Sequence, residues 1–165
     1  MQTFKYSVNG SKKLCFTKNT DLSRIPEAAR KIMSRFAAEK CGAEDEISVI
    51  ETEKPISDKL KEELRRLNKT DVISNPDGYV IKMSEGSITV SANSESGIMN
   101  GLMTFLRLLD DDGRYGREML CDCPICGIRG IKLMIPAREN IKDFYDFIDM
   151  MVFFHHNTLM LEIGG

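Results

Sequence analysis

The sequence lacks three features that would each point to a particular class of protein. No apolar run is long enough to cross a bilayer, so we expect no membrane span. Lysine and arginine total 23 against 25 acidic residues, and this near balance does not favour nucleic acid or an anionic membrane as a partner. The N-terminal residues also lack the basic start and apolar core of a signal peptide. We therefore expect a cytoplasmic protein, or a secreted one only if a leader has been lost.

Cysteine is present, but in an odd number and without the usual zinc-site spacing. An odd count favours reduced thiols. Three cysteines form Cys-x-Cys-Pro-x-Cys, which a histidine could complete as a metal site, but the motif lacks paired Cys-x-x-Cys knuckles. On a strand, cysteine also serves as a small apolar residue. We expect no metal and no cofactor, and a structural role for His155 and His156. The five cysteines are Cys15, Cys41, Cys121, Cys123 and Cys126.

Residues 76–109 have the clearest pattern in the chain. Two strands are predicted from alternating apolar residues at 79–83 and 88–90, separated by the tight-turn pair Glu85-Gly86. Ser94 is expected to cap a helix with one apolar stripe. Gly97 and Gly101 lie one helical turn apart, and we expect them to let the helix approach the sheet closely. The stripe consists of Ile98, Leu102, Phe105 and Leu109.

The residues before this stretch alternate between strand and helix patterns. Strands are predicted at 4–8 and 13–17 as a hairpin around Asn9-Gly10, and at 47–50. A helix with apolar positions 25, 29, 32 and 36 is expected to end at Gly42, and Ser57 to cap another with leucines at 60, 64 and 67. After the helix at 109, residues 110–113 predict a solvated acidic loop, followed by a polar linker at 114–117. The fold class is α+β, with a mixed or antiparallel sheet covered by helices.

The last segment predicts a strand–helix–strand unit. Residues 128–135 and 158–163 are apolar strands, and Asn140 is expected to cap the intervening helix. Strands joined by a helix of this length are parallel, and two strands cannot bury both sheet faces. We expect exposed surface at Ile131, Leu133, Leu159 and Leu161.

Two successive patterns resemble family 20 glycoside hydrolases, the β-N-acetylhexosaminidases. Gly-Tyr-x-Ile, a second strand with Ile-x-Val, and Gly-Ile-x-x-Gly-Leu-x-Thr-Phe-x-x-Leu-Leu resemble the domain that precedes their catalytic barrel. Arg-Gly at residue 129 and Asn-x-Leu-x-Leu at residue 157 resemble the opening of the barrel. The resemblance implies an accessory domain at residues 1–120 and the first strand–helix–strand of a TIM barrel at 121–165.

The family implies a chemistry that this chain would not carry out alone. These enzymes remove terminal N-acetylhexosamines with retention, using the acetamido oxygen of the substrate as nucleophile. An Asp-Glu pair late in the barrel supplies the acid/base and orients the acetamide. Neither Glu44-Asp45 nor Glu85 stands at the end of a barrel strand, so we expect no catalytic residue here. The expected partners are the rest of the barrel and a carbohydrate.

One functional position is implied by the resemblance, and two more by their place after barrel strands. Arg129 matches an arginine that holds sugar hydroxyls, for which a guanidinium offers several fixed donors. It could instead pair with a carboxylate. Arg138 and Glu162 are further substrate-binding candidates because loops after barrel strands build active sites. The chain departs from the family at Met134-Ile135-Pro136, where an Asp is usual, and at Glu162, where a His is usual.

Two other functions agree with the same residues. The first is an accessory domain of a different carbohydrate-active enzyme, for example a uronosidase. The second is a self-standing interaction module, whose open strands would be covered by a partner or a second copy. A homo-oligomer through the exposed strands is therefore a further expectation.

Overall fold

The chain forms two compact units, Met1–Pro124 and Ile125–Gly165. The computed structural model describes residues 4–7, 14–15, 20–36, 49–84, 86–109, 114–116 and 118–163. The division lies four residues after the predicted boundary at 120/121, because a strand of the first unit continues to Asp122. Within the described part of the chain, no helix is long and apolar enough to cross a membrane.

A five-stranded mixed sheet is the centre of the first unit. The strands of this unit are β1 Phe4–Ser7, β2 Leu14–Cys15, β3 Val49–Glu53, β4 Tyr79–Ser84, β5 Ser87–Ala92, β6 Arg114–Tyr115 and β7 Glu118–Asp122. The order in the five-stranded sheet is β1-β7-β4-β5-β3, and all neighbours are antiparallel except β3 and β5. A separate two-stranded antiparallel sheet is formed by β2 and β6. The predicted class, a mixed α+β sheet with helices, is confirmed.

Helices cover both faces of this sheet. The helices are α1 Glu27–Phe36, α2 Asp58–Arg66, α3 Thr70–Ser74 and α4 Glu95–Leu108. Strand β4 alternates its side chains between the faces, so Tyr79 contacts α4 while Val80 packs with α2 and α3. Helix α1 packs on α4. The α2 leucines at 60 and 64 are buried as predicted, but Ser57 precedes that helix without a side-chain capping bond.

Helix α4 confirms the predicted cap and glycine contacts, but it ends at Leu108, one residue before the last position of the predicted apolar stripe. Ser94 Oγ accepts a hydrogen bond of 3.0 Å from the Gly97 N–H group, as an N-cap residue does. A β-carbon added to Gly97 would lie 2.6 Å from Gly78 O and 2.8 Å from Ala92 Cβ. A β-carbon added to Gly101 would overlap Val90 Cγ1. The two glycines therefore permit close contact between helix and sheet.

The predicted N-terminal hairpin is wrong. Strands β1 and β2 lie in different sheets, where β1 pairs with β7 and β2 with β6. The polar linker predicted at 114–117 is also wrong in part, since Tyr115 is buried and stacks edge-on against Phe105 at 5.2 Å. Asn9-Gly10, Gly42, Glu44-Asp45, Glu85 and residues 110–113 lie outside the described residues.

The second unit is a strand–helix–strand unit with parallel strands, as predicted. Strand β8 is Gly130–Met134, helix α5 is Ile141–Phe153 and strand β9 is Thr158–Glu162. A short 3-10 helix, Arg138–Asn140, precedes α5. Asn140 stands at the start of α5, but its side chain makes no capping bond. The register pairs Gly130 with Thr158 and Met134 with Glu162.

The exposed face of these strands is not the predicted one. Ile131, Leu133 and Leu159 are half-buried, and of the four residues expected to be exposed only Leu161 is. The alternate positions are more open, with Met134 exposed by 66% and Met160 by 59%. The prediction chose the wrong face because it assumed that the more apolar face of a two-stranded sheet would stay open. The more apolar face is the better covered one.

Candidate functional site

Two of the predicted substrate-binding residues follow the carboxyl ends of the adjacent parallel strands. Glu162 is the last residue of β9, and Arg138 opens the 3-10 helix after β8. Both side chains are exposed. Glu162 Oε2 pairs with Lys132 Nζ at 2.9 Å, and the Glu162 carbonyl accepts a 3.0 Å bond from the Ile135 N–H group. This edge thus presents a carboxylate and a guanidinium, groups that can hydrogen-bond sugar hydroxyls.

Arg129 lies at the opposite end of the same strands. It immediately precedes β8, and its guanidinium donates 2.7 Å bonds to two carbonyls, from Nε to His155 O and from Nη1 to Cys126 O. The guanidinium is therefore engaged by the protein's own backbone. Its role in sugar binding stays a prediction, and so do those of Arg138 and Glu162.

The cysteines and histidines do not assemble into a metal centre in the described part of the chain, where no group of three or more His, Cys, Asp or Glu side chains could hold an ion. Cys121 is buried in β7, and Cys126 is exposed. Burial, together with the neighbouring Asp71 carboxylate, raises the pKa of Cys123 to about 11. A thiol with such a pKa is a poor metal ligand at neutral pH, because the thiolate is the binding form.

The histidines have structural surroundings. His155 is buried and has a φ of 63°, the left-handed conformation of a residue just past a helix end. Its N–H group donates to Val152 O at 2.9 Å, and the His156 N–H group donates to Met151 O at 2.9 Å. These two bonds close the end of α5 through main-chain groups, so the structural role of the histidine side chains stays a prediction.

The first unit contains a chain of polar side chains, buried except at its Arg107 end, that the sequence did not predict. Arg107 Nη2 donates to Thr104 Oγ1 at 3.0 Å, and that hydroxyl lies 2.6 Å from the Tyr79 hydroxyl, which donates to Asp122 Oδ2 at 3.2 Å. Burial raises the pKa of Asp122 and the pKa of Tyr79. Asp122 Oδ1 is buried without a hydrogen-bond partner.

The Tyr79–Asp122 end of this chain supports the fold, because a substrate cannot reach either side chain. Asp122 is only 2% exposed, and Tyr79 is fully buried. A carboxyl group buried in this way favours its neutral form, which explains the direction of the pKa shift. The sequence offered one signal, an acidic residue ending the apolar run Met-Leu-Cys before Pro124. The partner residues are 43 and 18 positions away, at Tyr79 and Thr104, so spacing could not predict them.

Comparison with known proteins agrees with this architecture. The structure resembles a family 20 β-N-acetylglucosaminidase with a TM-score of 0.66 at 18% identity, over 96% of this chain and 29% of that one. It resembles the β-N-acetylhexosaminidase of Bacteroides fragilis with a TM-score of 0.61 at 15% identity, over 96% and 30% of the two chains. CpGH84B matches with a TM-score of 0.57 at 15% identity, over 94% and 28%. At these identities the likeness shows the fold alone.

The sequence comparison is more specific. No curated protein matches the chain. The chain spans less than a third of the length of the solved structures that it resembles. Residues 7–126, well over half of the chain, match glycosyl hydrolase family 20, domain 2. The chain therefore belongs to glycosyl hydrolase family 20.

Proposed function

We propose that this chain is the non-catalytic N-terminal part of a β-N-acetylhexosaminidase. The first unit is an accessory domain, and the second is the first strand–helix–strand of a (β/α)8 barrel whose other elements supply the catalytic Asp-Glu pair. The whole enzyme would remove terminal N-acetylhexosamines, with the substrate's acetamido oxygen attacking the anomeric carbon and the configuration retained. The enzyme would act in the cytoplasm.

The distribution of exposed apolar side chains carries this proposal. Among the described residues, every large apolar side chain that is exposed lies in the second unit, and Met151 is the only buried apolar residue described there. Exposed apolar surface on this scale is typical of a surface that another element covers. The exposed residues are Ile125, Ile128, Met134, Ile135, Ile141, Tyr145, Met150, Phe154, Met160, Leu161 and Ile163.

Within that barrel, the geometry favours Arg138 and Glu162 as the sugar-contacting residues of this chain. Active sites of (β/α)8 enzymes are built at the carboxyl ends of the strands, where these two residues lie. Arg129 is at the amino end of β8, where residues more often support the fold. The sugar role of Arg129 is thus the weaker of the three proposals.

The test is the activity of the longest natural polypeptide that contains this sequence. We expect hydrolysis of p-nitrophenyl N-acetyl-β-glucosaminide but not of the matching β-glucoside, because the glucoside lacks the acetamido nucleophile. Arg138→Gln and Glu162→Gln should raise KM, whereas Lys142→Gln, an exposed cation on α5, should not. A natural chain that ends near residue 165 and is monomeric would overturn the proposal.

One alternative is an accessory domain of another carbohydrate-active enzyme, because one fold can serve different reactions. Hydrolysis of p-nitrophenyl β-glucuronide, with none of the N-acetyl substrate, would favour a uronosidase. The exposed apolar residues of the second unit also agree with an interaction module whose second copy covers them. Light scattering that shows a stable dimer of this chain, with no longer natural product, would favour that alternative.

A further inference from the structure

A dense set of hydrogen bonds joins the start of β8 to the start of β9. The Arg129 N–H group donates to Asn157 Oδ1 at 2.9 Å, and the Asn157 N–H group donates to Arg129 O at 3.0 Å. Asn157 Nδ2 also donates to Gly127 O at 2.7 Å. The two residues thus bind each other reciprocally, through main chain and side chain.

The Arg129 side chain extends this set to the end of helix α5. Its Nε donates to the carbonyl of His155, the residue whose positive φ ends the helix, and its Nη1 donates to Cys126 O. A carbonyl just past a helix end has no partner within the helix, and a cation there also complements the helix dipole. One guanidinium therefore fixes both the turn before β8 and the turn before β9.

We propose that Arg129 and Asn157 are positioning residues that set the parallel register of β8 on β9. We call this set of bonds the register clasp. By fixing the register, it determines where Glu162 and the segment leading to Arg138 stand at the other end of the strands. The consequence for sugar binding rests on the proposed function, but the register role does not.

The position of the clasp makes it suited to this task. The first residue pair of the ladder, Gly130 with Thr158, comes directly after the clasp residues. Register is weakly specified where neither sheet face is fully buried, and both faces of β8 and β9 retain exposure. Packing of the half-buried apolar face therefore specifies the pairing only weakly, and the clasp adds a second determinant.

A one-residue shift in register would break an ion pair near the carboxyl ends of the two strands. Lys132 and Glu162 lie on one face of the strands and pair at 2.9 Å. A slip of one residue turns every side chain of β9 to the other face, because side chains alternate along a strand. Glu162 would then lose Lys132 and leave the face that it now shares with Met134.

The competing interpretation makes Arg129 a sugar ligand. A ligand arginine keeps donors directed to the substrate, whereas here two donors are directed to backbone carbonyls. The two interpretations differ in what they predict without substrate. Only the clasp predicts a change in the ladder of the free protein when Arg129 is altered.

The experiment is amide hydrogen exchange by NMR on the 165-residue chain, with the amides of β4 and β5 as an internal reference. For Arg129→Gln and Asn157→Ala we expect about a tenfold or larger loss of protection in β8 and β9, since the first removes two charge-assisted hydrogen bonds and the second removes two bonds of the amide side chain. Arg129→Lys should be intermediate, because one ammonium group cannot reproduce the fork that serves two carbonyls. Arg138→Gln, which alters an exposed arginine of the same unit, should change protection by less than about twofold.

A second measurement separates positioning from general support. Cross-strand NOEs report the register directly, and we expect Arg129→Gln and Asn157→Ala to weaken the contacts of the native register. Leu133→Ala, which removes half-buried apolar surface, should lower protection while the native contacts remain.

Unchanged protection and unchanged NOEs in both clasp variants would overturn the proposal. A raised KM for Arg129→Gln in the whole enzyme, with the ladder intact, would also overturn it and restore the sugar-ligand role. If the unaltered whole protein is inactive while both clasp variants show the expected loss of protection, the register clasp is supported and the proposed function is wrong.

Discussion

Replacing Gly97 or Gly101 by alanine tests the close contact between helix α4 and the sheet. In an open helix the change would be favourable, since alanine exceeds glycine in helix propensity by about 1 kcal/mol. Here the new methyl group meets fixed atoms. At Gly97 these are a backbone oxygen at 2.6 Å and Ala92 Cβ at 2.8 Å, and at Gly101 the obstacle is Val90 Cγ1.

The sign of the change in unfolding free energy follows from comparing the cost of packing the methyl group with the gain in helix propensity. Forcing an extra methyl group into a packed core costs about 1–3 kcal/mol. Val90 and Ala92 are fully buried, so neither can move aside into solvent. The upper part of that range applies to Gly97, where backbone blocks the methyl group. After the propensity gain, we expect Gly97→Ala to lower the free energy of unfolding by about 2 kcal/mol and Gly101→Ala by about 1 kcal/mol.

Urea unfolding of the two variants and of Gly127→Ala gives the comparison. A β-carbon at Gly127 meets nothing within 4 Å, so this control should be close to neutral. A double variant sharpens the test at Gly101. Val90→Ala alone should cost about 2 kcal/mol, but combined with Gly101→Ala the total should fall short of the sum by at least about 0.5 kcal/mol. Stabilisation by either glycine substitution, or strict additivity with Val90→Ala, would refute the reasoning.

Three further predictions concern charge, capping and thiol access. Burial raises the pKa of Asp122 in the folded protein, so its contribution to stability is complete below the unfolded pKa near 4 and is lost as pH rises through the folded pKa. In urea unfolding between pH 4 and 8, the free energy of unfolding of Asp122→Asn should therefore fall less with pH than that of the unaltered protein, and an identical pH profile would contradict the shift. Ser94→Ala should cost about 1 kcal/mol in thermal unfolding, whereas Ser57→Ala should cost less, because only Ser94 makes a capping bond; equal losses would count against this. Alkylation with iodoacetamide, followed by peptide mass, should modify the exposed Cys126 well before the buried Cys121, and the reverse order would be inconsistent with the structure.

The elements that local pattern decides were predictable. Strands β4 and β5 and helix α4 appear where alternation, the Gly86 turn and the Ser94 cap indicate them, because each of these signals acts within a few residues. Gly86 has the positive φ expected of it, 71°. The close contact at Gly97 and Gly101 was predictable too, since spacing on a helix fixes which residues share a face.

Long-range pairing was not predictable in the same way. An Asn-Gly pair between two apolar stretches indicates a hairpin, yet β1 pairs with β7, more than a hundred residues later. Strand β7 lies between β1 and β4 and is buried, and its apolar run carries no alternation that distinguishes a central strand from a linker. Competition among strands for partners is settled by packing of the whole sheet, which local signals do not contain.

In the candidate site too, some features were predictable from the sequence and others were not. That Arg138 and Glu162 follow two parallel strands could be read from the strand–helix–strand pattern. The surroundings of Arg129 could not, because its acceptors are the carbonyls of residues 126 and 155, and backbone carbonyls have no sequence signature. A motif identified the residue, but only the structure showed what its donors contact.

The contrast in burial between the two units bears on how the whole protein is organised. The first unit buries apolar side chains on both faces of a five-stranded sheet, which is enough to form a core of its own. The second has 41 residues, near the lower limit for a stable domain, and leaves eleven large apolar side chains exposed. A segment of that kind gains further stability when other elements cover it. The register clasp acts before that stage, because it fixes the pairing of β8 and β9 by hydrogen bonds local to the segment. The first two strands of the proposed barrel would then be aligned before the others are added, and the edge that carries Glu162 and leads to Arg138 would be set at the outset.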